Sequence, residues 1–236
     1  MRNNRFGSTF SAVLLVVATL ACEGRATGLL TIPPSGAVQV RLLNALPLSP
    51  SLSFLVDGQV ASSGVGFGGA SPYVPLALGT HRLQAQATTT GTTLIDFTRD
   101  LTVAGSFSLI AATGLGQFDA LLLPDDPTTQ AGQAKLRLIH LAAAPGPVSV
   151  YVTGPNGDLS TATPVAPTLA FGAASAYATL TPGTYRVRVT PVGIPSTVLL
   201  DSGTITVSSG SVRSLLLTDA PGGGFPTTLS IVADAN

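Results

Sequence analysis

An internal repeat constrains this chain more than any other feature of its sequence. Residues 40–44 (VRLLN) align without a gap on residues 136–140 (LRLIH). Residues 67–82 align on residues 171–186 with nine identities, where chance at average residue usage gives about one. The aligned copies are roughly 90 to 100 residues long, whereas solenoid units have about 20 to 50. The repeat therefore predicts a whole domain present twice.

The composition and periodicity of each copy predict strands. The chain has 26 Gly and 18 Pro but a single Glu and a single Lys, so helix is expected to be scarce. Residues 185–190 (YRVRVT) alternate apolar and polar side chains, the period of a half-buried strand. Strands are predicted in copy one at 38–44, 52–57, 93–98, 100–104 and 106–113. About seven short strands per copy, separated by turn signals, predict a β-sandwich.

Turn signals and composition set the remaining boundaries. Residues 181–184 (TPGT) are typical of a type II turn and predict a tight hairpin, and Asp57-Gly58 also suits a turn. Residues 124–133 are polar, contain proline at two positions and lack periodicity, so they are predicted to be a linker. The predicted domains are copy one at 38–123 and copy two at 134–236.

The N-terminus has the pattern of an export signal. Residues 1–21 combine the basic Arg2 and Arg5 with an apolar run that is too short for a convincing membrane span. Residues 19–22 (TLAC) resemble a bacterial lipobox, although Thr19 stands where a branched aliphatic residue is usual. Cys22 is the only cysteine in the chain, so it has no disulfide partner within the chain. We predict lipidation of Cys22, a membrane anchor and a tether over 22–37, with ordinary signal cleavage and secretion as the alternative.

Few residues in the sequence have the pattern of a chemical site. The two histidines, His81 and His140, lie at unrelated places in the two copies, and the mature chain has no cysteine beyond Cys22, so no metal, cofactor or catalytic group is predicted. The acidic pair Asp125-Asp126, with Asp119 nearby, offers oxygen ligands for calcium but lacks the alternating spacing of a calcium loop. Basic residues are scattered singly, which argues against a nucleic-acid partner.

Residues 137–140 (RLIH) and 145–152 (PGPVSVYV) resemble the opening motif of the DUF4397 family. That resemblance covers both copies and implies secreted or envelope domains, often in tandem, with an Ig-like or transthyretin-like β-sandwich and no established biochemical role. The family's usual Asp is missing from both copies, and its motif His is present only as His140, with Asn44 in copy one.

These observations lead to one functional prediction with two alternatives. We predict an all-β, non-enzymatic cell-envelope lipoprotein whose two tandem sandwiches act as a structural, adhesive or assembly unit that binds protein or glycan. His140, Asn44 and Tyr151 are the predicted contacts to a ligand or partner. The alternatives are an envelope hydrolase centred on His140 and a self-assembling surface-layer subunit. The aromatic residues kept in both copies, Phe67/Phe171 and Tyr73/Tyr177, are interpreted as structural.

Overall fold

The computed structural model describes residues 38–114, 117–220, 224 and 226–235, and no helix occurs among them. We call Val38–Asp125 module 1 and Ala134–Ala235 module 2. The strands of module 1 are β1 (Val38–Ala45), β2 (Leu52–Val56), β3 (Gln59–Val65), β4 (Val74–Leu76), β5 (Gly79–Ala87), β6 (Thr93–Leu101), β7 (Gly105–Gly114) and β8 (Gln117–Asp125). Those of module 2 are β9 (Ala134–Leu141), β10 (Val148–Thr153), β11 (Ala166–Leu169), β12 (Ala178–Leu180), β13 (Gly183–Pro191), β14 (Leu200–Val207), β15 (Val212–Thr218) and β16 (Thr228–Ala235).

Both modules have the same sheet topology. Each has two four-stranded sheets, in the order β4-β1-β7-β8 and β3-β2-β5-β6 in module 1, and β12-β9-β15-β16 and β11-β10-β13-β14 in module 2. The first strand of each module pairs in parallel with the seventh, β1 with β7 and β9 with β15. The predicted all-β fold with sandwich domains is confirmed. We call β4-β1-β7-β8 and β12-β9-β15-β16 the inner sheets.

Each module has its own apolar core between its two sheets. In module 1 the core includes Leu42, Phe54 and Leu83, and in module 2 it includes Leu138 and Val189, all of them fully or almost fully buried. Burying a side chain of this size contributes about 1.5 to 3 kcal/mol. The alternation that predicted strands therefore also selects the residues that hold each sandwich together.

Two local predictions are wrong. Residues 93–98 and 100–104 were expected as separate strands, but β6 is one continuous strand that pairs with β5 over its length. The TPGT segment does not close a hairpin, because β12 pairs with β9 in one sheet while β13 pairs with β10 and β14 in the other. The chain crosses between the sheets there, and Gly183 has no positive φ. The predicted turn at Asp57-Gly58 is present, and both of its residues have positive φ.

A third set of apolar residues lies between the modules. The outward faces of the two inner sheets pack against each other, and this layer includes Leu43 and Ile110 of module 1 and Ile139 and Leu216 of module 2, all 0% exposed. Residues 38–235 accordingly belong to one compact unit. The segment predicted as a linker begins within β8, which continues to Asp125; the domain boundaries themselves stay a prediction.

Candidate functional site

A buried cluster of charged residues lies beside the apolar layer between the modules. Each module contributes one arginine, one tyrosine, one serine and one aspartate. The arginine, serine and aspartate lie on strands of the inner sheet, and the tyrosine lies in the loop just before the fourth strand of the module. In module 1 these are Arg41 on β1, Tyr73, Ser108 on β7 and Asp125 on β8; in module 2 they are Arg137 on β9, Tyr177, Ser214 on β15 and Asp234 on β16. We call these eight residues the interface cluster.

Each arginine crosses the interface to the aspartate of the other module. Arg41 Nη2 donates to Asp234 Oδ1 at 2.5 Å, and Arg137 Nη2 donates to Asp125 Oδ1. The side chains of the two arginines are 2% and 3% exposed, and those of the two aspartates are fully buried. Two positive and two negative groups are therefore removed from water together, which is tolerable only because each has a partner of opposite charge.

Hydrogen bonds satisfy the remaining polar atoms of the module 1 aspartate. The hydroxyls of Tyr73 and Ser108 both donate to Asp125 Oδ2, each at 2.6 Å. Arg41 Nε donates to Ser108 Oγ at 2.9 Å, and its Nη1 donates to the carbonyl of Ala233 at 2.8 Å. The guanidinium of Arg41 also lies 4.8 Å from the centroid of the Tyr73 ring, a cation–π distance.

The module 2 half of the cluster repeats this arrangement. Tyr177 and Ser214 donate to Asp234 Oδ2, both at 2.7 Å. Arg137 donates to Ser214 Oγ at 2.8 Å and to the carbonyl of Pro124 at 2.7 Å, and it lies 4.6 Å from the Tyr177 ring centroid. The arginine–aspartate pairs, the tyrosine and serine hydrogen bonds and the arginine–tyrosine contacts of one half thus have equivalents in the other, as in a two-fold symmetric interface.

Burial sets the protonation states within the cluster. Desolvation raises the pKa of Tyr73 and of Tyr177 well above the ordinary tyrosine value, although the nearby arginines act in the opposite direction. Desolvation by burial lowers the pKa of Arg41, but Asp234, Tyr73 and Asp125 together outweigh it and the net pKa is raised. Both tyrosines therefore stay protonated as donors and Arg41 stays charged. The cluster links the two modules, and its arginines and aspartates all have hydrogen-bond partners within it.

The contacts place the two modules side by side in the same direction. In both modules the charged residues lie nearer the start of the first strand, and the apolar residues Leu43 and Ile139 follow them along it. Since charged groups meet charged groups and apolar groups meet apolar groups, β1 and β9 begin at one common end. We call this the base end, and the opposite end the loop end. Strand pairing places Val38, Asp125, Ala134 and Ala235 at the base end.

The loop end exposes several large aliphatic side chains. In module 1, Leu48 in the β1–β2 loop is 79% exposed and borders a groove of about 310 Å³ lined by Leu46, Pro50, Ala87 and Leu94, among others. In module 2, the β13–β14 loop exposes Val192, Ile194 and Val198 by 42 to 48%. The strand ends Ala87 and Pro191 are level with the starts of β2 and β10, which puts both loops at this end.

The three predicted contact residues lie inside the modules. Asn44 and His140 are 0% exposed, and Tyr151 is 5% exposed. Asn44 Nδ2 donates to the carbonyl of Val65 at 2.9 Å, and its Oδ1 accepts from the N–H of Leu46 at 3.1 Å. These bonds fix the start of the β1–β2 loop. Direct contact of the three residues with a ligand stays a prediction.

His140 has the corresponding position in module 2. Its Nε2 donates to the carbonyl of Gly146 at 2.7 Å, and its ring meets Phe171 edge-on with centroids 6.4 Å apart. Burial lowers the pKa of His140, so the ring is neutral near pH 7. The carboxylate of Asp219 accepts from the N–H groups of Ala143 and Ala144. This arrangement orders the β9–β10 loop.

Other residues singled out in the sequence have structural partners or lie outside the described part. Asp126 pairs with Lys135 and accepts from Thr128, and Lys135 lowers the pKa of Asp126. No group of three potential metal-ligating side chains occurs among the described residues. The signal segment, Cys22 and the tether lie outside the described residues, as does the side chain of Asp119. Within the described part of the chain, no helix is long and apolar enough to cross a membrane.

Sequence reasoning found the tyrosines but missed the rest of the interface cluster. A signal was present: Arg41 and Arg137 align with each other inside otherwise apolar strands, VRLL and LRLI. A charged residue kept in both copies at such a position must have a buried partner. The partners could not be assigned because Asp125 fell in the segment predicted as a linker. The exposed aliphatic residues of the loop end were also missed.

Comparisons with known proteins identify a family and two distant structural likenesses. The DUF4397 family, described as a domain of unknown function, matches residues 38–151. No curated protein matches the chain. CBMbc (family CBM26) from Eubacterium rectale Amy13K, solved with maltoheptaose, is 12% identical and covers 82% of this chain and 95% of its own, with a TM-score of 0.25. A candidate adhesin from Bacteroides ovatus is 10% identical and covers 85% and 94%, with a TM-score of 0.23.

Neither structural likeness is close enough to bear on function. The family match spans module 1 and continues through β9 into β10. The predicted family resemblance of the rest of module 2 stays a prediction. Residues 38–151 of this chain match the model of the DUF4397 family.

Proposed function

We propose that this chain is a non-enzymatic cell-envelope lipoprotein that binds a partner through the loop end of its paired modules. The observation that carries the proposal is the common direction of the two modules, which places the exposed loops of both at one end. A rigid scaffold that presents loops together is a frequent basis of recognition. The interface between the modules supplies the rigidity, because bending the pair would break the hydrogen bonds of the interface cluster and expose the apolar layer beside it.

The common direction of the two modules suits an anchored protein. The described chain enters module 1 at Val38, at the base end, and the predicted anchor Cys22 precedes it in sequence. Two acyl chains bind a bilayer much more firmly than one. With the anchor on the base side, the loop end faces away from the membrane, where a partner can reach it.

The chemistry of the loop end favours a protein partner over a glycan. The exposed residues there are aliphatic, with Leu48 in module 1 and Ile194 in module 2 as examples. Sugar rings are commonly bound by stacking on aromatic faces, while aliphatic side chains suit the apolar core of a protein interface. The groove beside Leu48 adds a concave surface into which a partner side chain could insert.

Site-specific photocrosslinking in the native cells tests the proposal. A photoreactive amino acid replaces Leu48 at the loop end, and in a matched variant it replaces Val103, which is 68% exposed in the β6–β7 turn at the base end. We expect a discrete protein adduct at position 48 and none at position 103. Adducts at neither position, or equally at both, would contradict binding through the loop end.

A further inference from the structure

The interface between the modules has a property that binding at the loop end does not require. Each module supplies one arginine and one aspartate to the two ion pairs that cross the interface. Module 1 has Arg41 and Asp125, and module 2 has Arg137 and Asp234. Each module also supplies a carbonyl to the arginine of the other, from Pro124 and from Ala233.

We propose that the inner sheet of each module is a self-association surface, and that the partner it fits is a second copy of the same module. In this chain the second copy is joined in tandem. A pair of two module 1 copies would place Arg41 of each beside Asp125 of the other. Tyr73 and Ser108 would donate hydrogen bonds to that carboxylate as they do here. Nothing in the ion-pair network has to be supplied by module 2.

The apolar layer is self-complementary as well. Leu43 and Ile110 of module 1 correspond to Ile139 and Leu216 of module 2, so both faces present large aliphatic side chains at the same strand positions. Replacing one face by the other therefore keeps an apolar surface opposite an apolar surface. Hydrophobic stabilisation is therefore available to each pairing.

Equivalent glycines of the two modules also face the last strand of the other module, although the contact is closer at Gly68. Gly68 in module 1 lies against Ser230 of β16, and a Cβ at Gly68 would be 2.3 Å from Ser230 Oγ. Gly172, the equivalent glycine of module 2, lies against Leu121 of β8, where a Cβ would be 3.8 Å from the leucine methyls. Both glycines have positive φ, so each module keeps the same shape at the point of contact. Gly172 shows that a module glycine can face a leucine at the spacing found on its side of the interface. A pair of module 1 copies would need that wider spacing at Gly68, because Leu121 would face it there.

The proposal is tested on the full chain after a single cut. A protease recognition sequence is inserted between Gln130 and Ala131, which are both exposed, and the cleaved protein is examined by native mass spectrometry. We expect three pairs: module 1 with module 2, module 1 with itself and module 2 with itself. Mixed pairs alone would show a surface specific for the other module, and separate modules would show an interface that needs the covalent link. Either result overturns the proposal.

Two variants distinguish the pairs by their arginines. Arg137→Ala removes the arginine of module 2, so pairs of module 2 should weaken by about 30-fold or more while pairs of module 1 are unchanged. Arg41→Ala should do the reverse. Arg82→Ala removes an arginine from an exposed ion pair on the sheet β3-β2-β5-β6 and should leave all three pairs intact. Circular dichroism of each cleaved sample checks that the modules stay folded, since a variant that unfolds its module would lose every pair containing it, including the mixed one.

Discussion

The energetic importance of the interface cluster can be measured by removing Arg41. Arg41→Ala deletes the charge opposite Asp234 and the donors to Ser108 and to the Ala233 carbonyl. Breaking a buried ion pair by removing one partner costs about 3 to 5 kcal/mol, because the other charge stays buried without compensation. Asp234 would keep two hydroxyl donors, from Tyr177 and Ser214, so we expect the lower end, about 3 kcal/mol.

Urea unfolding followed by circular dichroism measures this cost. With a slope of about 2 kcal/mol per molar urea, a loss of 3 kcal/mol lowers the unfolding midpoint by roughly 1.5 M. The matched control is Arg82→Ala, which removes the same side chain from a pair with Asp96 whose side chains are 54% and 37% exposed. Exposed pairs of this kind contribute about 0 to 1 kcal/mol, so the control should shift the midpoint by less than about 0.5 M.

The difference between the unfolding midpoints of these two variants shows whether the interface cluster is buried in solution. Equal midpoints for Arg41→Ala and Arg82→Ala would mean that the interface cluster is not desolvated in solution, and that the modules separate easily. A second diagnostic is the number of transitions. If the cluster couples the modules, the wild-type chain should unfold in one step, and the Arg41 variant should show the module transitions moving apart.

Three further predictions follow from individual residues. Gly68→Ala should destabilise the chain by about 1 to 3 kcal/mol more than Gly58→Ala in thermal or urea unfolding, because both glycines have positive φ but only Gly68 has a side chain of the other module within contact; equal losses would count against close packing there. By NMR, the ring protons of His81, whose pKa is raised by its hydrogen bond to an aspartate, should titrate above about pH 6.5. Those of His140, whose pKa is lowered by burial, should titrate below that pH. The stabilisation from His81 is present below about pH 6.5 and is lost as the pH rises through its folded-state pKa. The stabilisation from His140 is lost as the pH falls below about 6.5. Titration of both rings at one pH would contradict the different surroundings of the two histidines. Intact-mass analysis of protein from native membranes should show a diacylglyceryl group on Cys22, and a mature chain that begins after this residue would refute the anchor.

His140 and Asn44 show how far sequence reasoning reached at single sites. The sequence showed that His140 and Asn44 occupy equivalent positions in the two copies, which is correct as an alignment. It could not show that both side chains face inward and bond backbone groups distant in the strand pattern, because strand alternation does not tell which face of an inner sheet is covered by a second module. Their partners, Gly146 in the β9–β10 loop and Val65 at the end of β3, depend on the tertiary fold.

Within each module, the sequence alone determined the fold class. Alternation of apolar and polar residues, many turn-forming residues and a near absence of Glu and Lys leave strands as the only regular structure that buries enough apolar surface. The duplication then required that both copies adopt the same topology, since identical apolar positions are buried by identical strand pairing. These are local properties, so a one-dimensional pattern was sufficient to find them.

Only the tertiary structure decided how the copies meet. The inner sheets are apolar on both faces, one toward the module core and the other toward the second module, and a sequence pattern does not name the partner of the second face. The residues of the ion pairs are 193 and 12 positions apart, at Arg41–Asp234 and Arg137–Asp125. Their attraction becomes strong only after packing removes them from water. The repeat therefore determined two sandwiches, and burial of charge between them determined one rigid pair.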